Sequence, residues 1–271
     1  MIVSTLLSVL LSFSVAAASP QQDTFEEQVE EYKALIKDRD HEHDAIQMID
    51  GFISKFAEHR ERLVEIADML EVEEGDAKAL RKEIKTVKKE QEEIADLVWM
   101  AFKERKRDTE AHRNLWKVAV HAFGQMGEPG AGYLWKAFKE KRFKKDVDFQ
   151  GLCVKQIGYT HDYSQAEDLV DLLDHHQDLI IKSAAEALIQ FGDAPGAVRL
   201  ECAEKLVNLL NSYYNSSTNP EDTVAQSKYR LVKRSMLDAL TELTQQSFQV
   251  PLEWRRWFNK NKKNKEIWAD K

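Results

Sequence analysis

The metal-ligating side chains of this chain gather in two runs. His41-Glu42-His43-Asp44 is the denser, and His175-His176 follows Asp171 and Asp174. Zinc needs about four ligands converging on one point. Histidines at i and i+2 do not share a helix face, so His41 and His43 could chelate together only from extended or irregular chain. The first run also adjoins Asp38-Arg39-Asp40, a composition suited to a helix junction, where polar side chains act as caps. These histidines, and His161 in the turn expected after Gly158, read as surface or capping residues. No metal ligand is assigned.

Catalytic patterns are missing too. H-E-x-x-H, G-x-x-x-x-G-K, G-x-S-x-G and G-x-G-x-x-G do not occur. The 47 carboxylates are plentiful, but acids spaced along helices read as solvated faces, and no opposed pair suited to acid–base chemistry can be picked out. The expectation is a protein that is not an enzyme, with no catalytic residue and no cofactor.

Two basic–aromatic patches are better candidates for function. One runs from Trp135 to Lys145 (WKAFKEKRFKK), the other from Trp254-Arg255-Arg256-Trp257 through Lys265. Trp and Arg are the side chains that most often anchor protein interfaces. Trp135, Lys139, Arg142, Lys144, Trp254, Arg255 and Trp257 are therefore the candidate partner contacts, suited to an acidic protein partner or an anionic surface polymer. The competing reading has Trp135, Phe138, Trp254, Trp257 and Phe258 closing a core while the lysines are solvated. A net charge of −8 over the 271 residues argues against a general nucleic-acid binder, whose footprint is basic.

The elements that must carry these residues are helices. Ten Gly and five Pro are few for an all-β chain, which turns about every eight to twelve residues. Ile46, Ile49, Ile53, Phe56, Arg60, Leu63, Ala67 and Leu70 follow alternating steps of three and four. Leu80, Ile84, Val87, Gln91, Ile94, Val98 and Ala101 do the same. Each set is a seam at the ~3.5-residue period of a coiled coil, with one polar interruption, Arg60 or Gln91. Gly75 suits the close of the first helix and Asp76 the N-cap of the second, so the two should fold back as an antiparallel hairpin. Charge agrees: residues 23–76 hold 18 acids against 6 bases, and residues 77–145 hold 18 bases against 10 acids. The alternative is that one of these helices pairs with another protein or a second copy. A shorter helix bearing Phe25, Val29, Tyr32 and Ile36 should dock on the hairpin.

From about residue 110 a block recurs: Ala122-Phe123-Gly124-Gln125-Met126-Gly127, Cys153-Val154-Lys155-Gln156-Ile157-Gly158, and Ala187-Leu188-Ile189-Gln190-Phe191-Gly192. A fourth copy, Ala239-Leu240-Thr241-Glu242-Leu243-Thr244, has Thr for the glycine. Each block reads as the end of a helix, its small residue admitting a close neighbour and its glycine acting as the stop. A second amphipathic helix follows each stop, over 133–143, 166–173 and 197–210. Helix pairs repeated in this way must stack to bury their apolar faces. The blocks AVHAFGQMGEPGA and AAEALIQFGDAPGA resemble HEAT-type repeats, of the short variety also found in phycobilin-lyase-like proteins. The segment LTELT followed by Phe248 and EWRRWF is similar to the tail of many exported bacterial HEAT-repeat proteins. Gln245 stands where those usually have glycine, and Gln150-Gly151 where alanines are usual. The resemblance covers roughly residues 110–260 and implies an α-solenoid of about four repeats. In such stacks the second helices commonly line the concave face. HEAT arrays serve many unrelated partners, so binding is implied and the partner is not.

Ile2 to Val15 are apolar but for serines and lead into Ala16-Ala17-Ala18. This reads as a secretory signal over residues 1–18 cleaved after Ala18, the alternative being an uncleaved anchor. The run is shorter than the ~20 residues that span a bilayer. Export to the periplasm or outside the cell is expected. Cys153 and Cys202 lie among apolar neighbours and read as inert buried thiols, with a disulfide as the alternative. Asn211 to Ser227 lacks apolar periodicity and reads as a polar exposed loop; Asn215-Ser216-Ser217 within it fits a glycosylation acceptor. The whole is expected to be an exported all-α protein, a hairpin region over 19–109 followed by a HEAT-like domain over 110–271. Its work is expected to be non-catalytic, as a scaffold or adaptor. The rivals are a lyase-type enzyme with a concave ligand pocket and a structural protein self-assembling through the heptads.

Overall fold

The computed structural model describes residues 24–38, 41–73, 75–106 and 109–270. The expected signal peptide, 1–18, lies outside the described residues. Among the described residues all regular structure is helical, as expected, with eleven α-helices and three short 3-10 turns. None of these helices is long and apolar enough to cross a membrane.

Helix α1 (Phe25–Leu35) opens on a reciprocal cap: Thr24 Oγ1 accepts from Glu27 N at 3.3 Å, and Glu27 Oε2 accepts from Thr24 N at 2.8 Å. It buries Val29 and Tyr32, with Ile36 just beyond its end. Its neighbour is α2 (Glu42–Glu71), whose Phe52 meets Phe25 and Tyr32 edge-on.

Helices α2 and α3 (Ala77–Glu104) form the hairpin. Gly75 turns the chain at φ 86°, a conformation that costs glycine little. Asp76 then caps α3 by accepting from Lys78 N at 2.9 Å. The ion pair Arg62–Glu83 at 2.7 Å and the contact of His59 with Glu90 at 3.2 Å mark the antiparallel register. Helix α3 buries the expected Leu80, Val87, Gln91, Ile94, Val98 and Ala101, with Ile84 half-buried, and in its second half also Ala95, Leu97, Trp99 and Phe102, off the seam. In α2 the buried face is rotated from the expected seam. Ala45, Ile49, Phe52, Phe56, His59 and Ile66 are buried, whereas Arg60 and Ala67 are exposed. The reason is that α2 packs on α1 and α4 as well as on α3, so it buries a wider face than a two-helix seam.

Eight helices follow as four successive pairs. They are α4 (Glu110–Gln125) and α5 (Glu128–Phe138), then α6 (Val147–Tyr159) and α7 (Ala166–Leu172). The last two pairs are α8 (Asp178–Leu188) and α9 (Gly196–Ser217), then α10 (Thr223–Thr244) and α11 (Pro251–Asn261). Helix α2 packs on α4, α4 on α6, α6 on α8, and α8 on α10, which makes one layer; α3 packs on α5, α7 on α9, and α9 on α11. One hydrophobic core runs from Val29 to Phe258. The hairpin and the repeated pairs therefore share a core.

The blocks end in different ways. Gly127 has φ 71° and separates α4 from α5, as a stop should. Gly158 instead lies inside α6, and Gly192 has φ −56°. What Gly158 supplies is close approach, since a Cβ there would run into the backbone of Ala187 in α8. Gly151 likewise faces the Ser183 hydroxyl. At the fourth block the left-handed residue is Gln245, φ 57°, at the position where the resembled family has glycine.

The polar stretch 211–227 is not a loop. Residues 211–217 continue α9 and 223–227 open α10, leaving only 218–222 between them. The helix persists because two of its polar residues find buried partners. Asn211 Nδ2 donates to Val207 O at 2.8 Å and Pro251 O at 3.1 Å. Tyr213 Oη donates to Leu173 O at 2.8 Å. Asn215 is exposed in the last turn of α9.

Candidate functional site

The layer α2–α4–α6–α8–α10 carries a groove. Its wide half is a cleft of 640 Å³ between α2, α4 and α6. Arg60, with Ile53 and Ala57, comes from α2, His121 and Gln125 from α4, and Leu152, Lys155, Gln156 and Tyr159 from α6; His161 follows in the next turn. Its narrow half is a cleft of 410 Å³ between α6, α8 and α10, and includes Gln190. The two halves share Lys155 and Tyr159 of α6, so they adjoin across that helix.

Two backbone features shape the wide half. Gly124 forms part of its wall, and a Cβ there would collide with the Gln156 amide. Glycine thus makes room for that side chain. His161 is left-handed at φ 52° and its N–H donates to Gly158 O at 3.1 Å, which reverses the chain at the end of α6. Asp162 then anchors the turn by accepting from Ser164 N at 3.1 Å.

The halves differ in charge. The narrow half is internally compensated: Glu186 sits 3.3 Å from Lys155 and 3.7 Å from Lys182, and Asp238 sits 2.8 Å from Arg234. Among the described residues no carboxylate lines the wide half. Arg60 there makes only a long 3.5 Å hydrogen bond to Gln125 O. Gln156 is 6% exposed, and no described protein group hydrogen-bonds its amide.

The residues expected to contact a partner lie elsewhere, and none of the seven lines either half of the groove. Trp254 is fully buried and its indole donates to Phe248 O at 3.0 Å, so it is a core residue and no contact anchor. Arg142 is also withdrawn. Past the end of α5, in the 3-10 turn Lys141–Phe143, its guanidinium donates to Arg105 O at 2.6 Å and Phe102 O at 2.9 Å. It also lies 2.6 Å from Glu140 and over the Trp116 ring at 4.9 Å. It ties the end of α3 to the repeated pairs. Trp135 is half-buried and donates to Gln165 Oε1 at 2.8 Å, with Lys139 above its ring. Trp257 is half-buried against Phe248, Trp254 and Trp268. Lys139, Lys144 and Arg255 are exposed.

The histidine runs disperse. His41 pairs with Asp44 at 2.8 Å at the start of α2, and His43 turns to Gln47. Glu42 points inward, 3.2 Å from both Arg105 and His112. The rings of His175 and His176 lie 4.1 Å apart at a 38° tilt, and burial followed by the neighbouring imidazole lowers the pKa of His175. No group of three metal-ligating side chains converges among the described residues. Cys153 and Cys202 are free and buried; burial pushes both thiols up, that of Cys202 to about 12.

The groove residues carried a signal that block composition alone did not isolate. Gln125, Gln156 and Gln190 occupy the same position of three successive blocks, and all three line the groove. A polar residue repeated at a position the core does not need marks a shared surface. Compared with known proteins, the chain matches no family model, no curated protein and no solved structure.

Proposed function

We propose that this protein is an exported, non-catalytic adaptor, a short HEAT-like α-solenoid whose first-layer groove receives a protein partner. The observation that carries this reading is the pair of adjoining clefts lined by five helices, with block-equivalent glutamines along them. The buried face of α2 is spent on neighbours within the chain, which favours an adaptor over self-assembly through the heptads. The basic patches supply favourable long-range charge and are secondary to the groove.

Site-specific photo-crosslinking tests the assignment. A photoreactive residue at Tyr159 should yield a discrete, saturable adduct in extracts of the source cells, and one at Lys144 should not. The reverse pattern would return partner binding to the basic patch. Export is checked separately by the mature N-terminus, expected at Ser19 in the extracytoplasmic fraction.

A further inference from the structure

The glutamine row and the charge imbalance together specify what the groove can hold. A primary amide offers one acceptor oxygen and two donor hydrogens, the complement of a peptide main chain. Gln125, Gln156 and Gln190 present such amides from α4, α6 and the 3-10 turn ending the α8 block. Gln150 and Gln165, by contrast, spend theirs internally, on Phe138 O at 3.0 Å and on Asp162 at 2.7 Å. Gln156 is the telling member: the side chain is largely enclosed in the cleft wall and hydrogen-bonds no described protein group, yet its amide is not sealed from solvent.

Spacing narrows the conformation of the occupant. Packed helices lie about 8–10 Å apart. Three residues of left-handed polyproline helix advance ~9 Å and return the same face. A chain in that conformation lying across α4, α6 and α8 would therefore meet one amide every third residue. Its hydrogen-bonding groups are free, because this helix has no internal hydrogen bonds.

Charge supplies the sequence preference. At the wide end the exposed Arg60 guanidinium has no carboxylate among the described residues, and a planar fork of donors matches a carboxylate well. Ile53, Ala57 and Leu152 lie beside it as apolar contacts. We infer that the groove takes an extended acidic peptide segment, its main chain held by Gln125, Gln156 and Gln190 and a carboxylate by Arg60. This rests on the groove being the partner surface.

The probe is a fluorescein-labelled dodecapeptide of four Glu-Leu-Pro units, titrated with the full chain and read by anisotropy. Versions with Gln or Lys for Glu serve as comparisons. Saturable binding is expected, weakest for the Lys peptide. Gln156→Leu and Gln190→Leu should each weaken both the Glu and the Gln peptide about three- to tenfold, the worth of one net hydrogen bond. Arg60→Glu should weaken the Glu peptide about tenfold or more and move the Gln peptide little, whereas Lys144→Glu changes neither. Gln190→Leu, at a half-exposed position, carries the test if the buried Gln156→Leu does not fold. Equal affinity for the three peptides, or wild-type affinity in Gln190→Leu, overturns the inference. No peptide binding alongside a discrete adduct at Tyr159 also overturns it, and leaves the adaptor reading standing.

Discussion

Burial of the His59 imidazole sets up a titration inside the hairpin. The residue is 8% exposed, 3.2 Å from Glu90, in the polar break of the α2 face. Desolvation is the largest influence and lowers its pKa below 6.5, with Glu90 opposing. The fold therefore favours the neutral ring. That contribution is present in full above the unfolded value and is lost as pH falls from there through the lowered folded value. Thermal melts should show wild type losing stability relative to His59→Leu as pH falls below the 6.5 of a free imidazole. A pH-independent difference would contradict this. Arg142 shows how a surface motif can be structural. Arg142→Ala should cost about 1–3 kcal/mol, because two backbone carbonyls lose a charged donor. Lys139→Glu and Lys144→Glu should each stay within about 0.5 kcal/mol. Denaturant midpoints separate the two outcomes.

At the scale of elements, glycine was expected to stop helices, and in α6 it lets one helix approach another. Gly158→Ala should destabilise by about 1–3 kcal/mol through overpacking against Ala187. At the end of α10 the sign reverses. Gln245 holds a left-handed conformation that disfavours a side chain, so Gln245→Gly should stabilise by about 0.5–1 kcal/mol. Loss of the Gln245 Nε2 hydrogen bond to Glu242 O at 2.8 Å works against that gain. Both are read by chemical denaturation. The start of α9 uses a different device, since Pro195 provides no side-chain cap. Asp270, from the chain's end, accepts from Gly196 N at 2.6 Å instead, and the buried Arg199 donates to the carbonyls of Leu243 and Ala269.

For the whole molecule, the single core and the chain of neighbours predict a gradient of local stability. Helix α8 packs on α6, α7 and α10, whereas α1 rests on α2. Elements with neighbours on several sides open last. Hydrogen exchange of backbone amides should be slowest in α6 and α8 and at least about tenfold faster in α1. Uniform protection across the chain would mean that the hairpin and the pairs open as one unit. The same gradient places the groove's centre on its most rigid helices, which suits a preformed binding surface.

The sequence by itself determined the helical class, the hairpin turn at Gly75-Asp76 and the α3 seam as part of a wider buried face. It marked the helix pairs but not their bounds, since the second helix expected over 133–143 is α5, Glu128–Phe138. Periodicity, caps and glycine placement act locally, and local physics is written along the chain. It did not determine which face of α2 is buried. Two sets of three-and-four steps share Ile49 and Phe56, and only contacts with α1 and α4 choose between them. Nor could it show that Asn211 and Tyr213 sit inside, since their partners, Pro251 and Leu173, are 40 residues away. The groove belongs to the same class. The amides of Gln125, Gln156 and Gln190 are ordinary in each block, and become a row only when packing sets α4, α6 and α8 side by side.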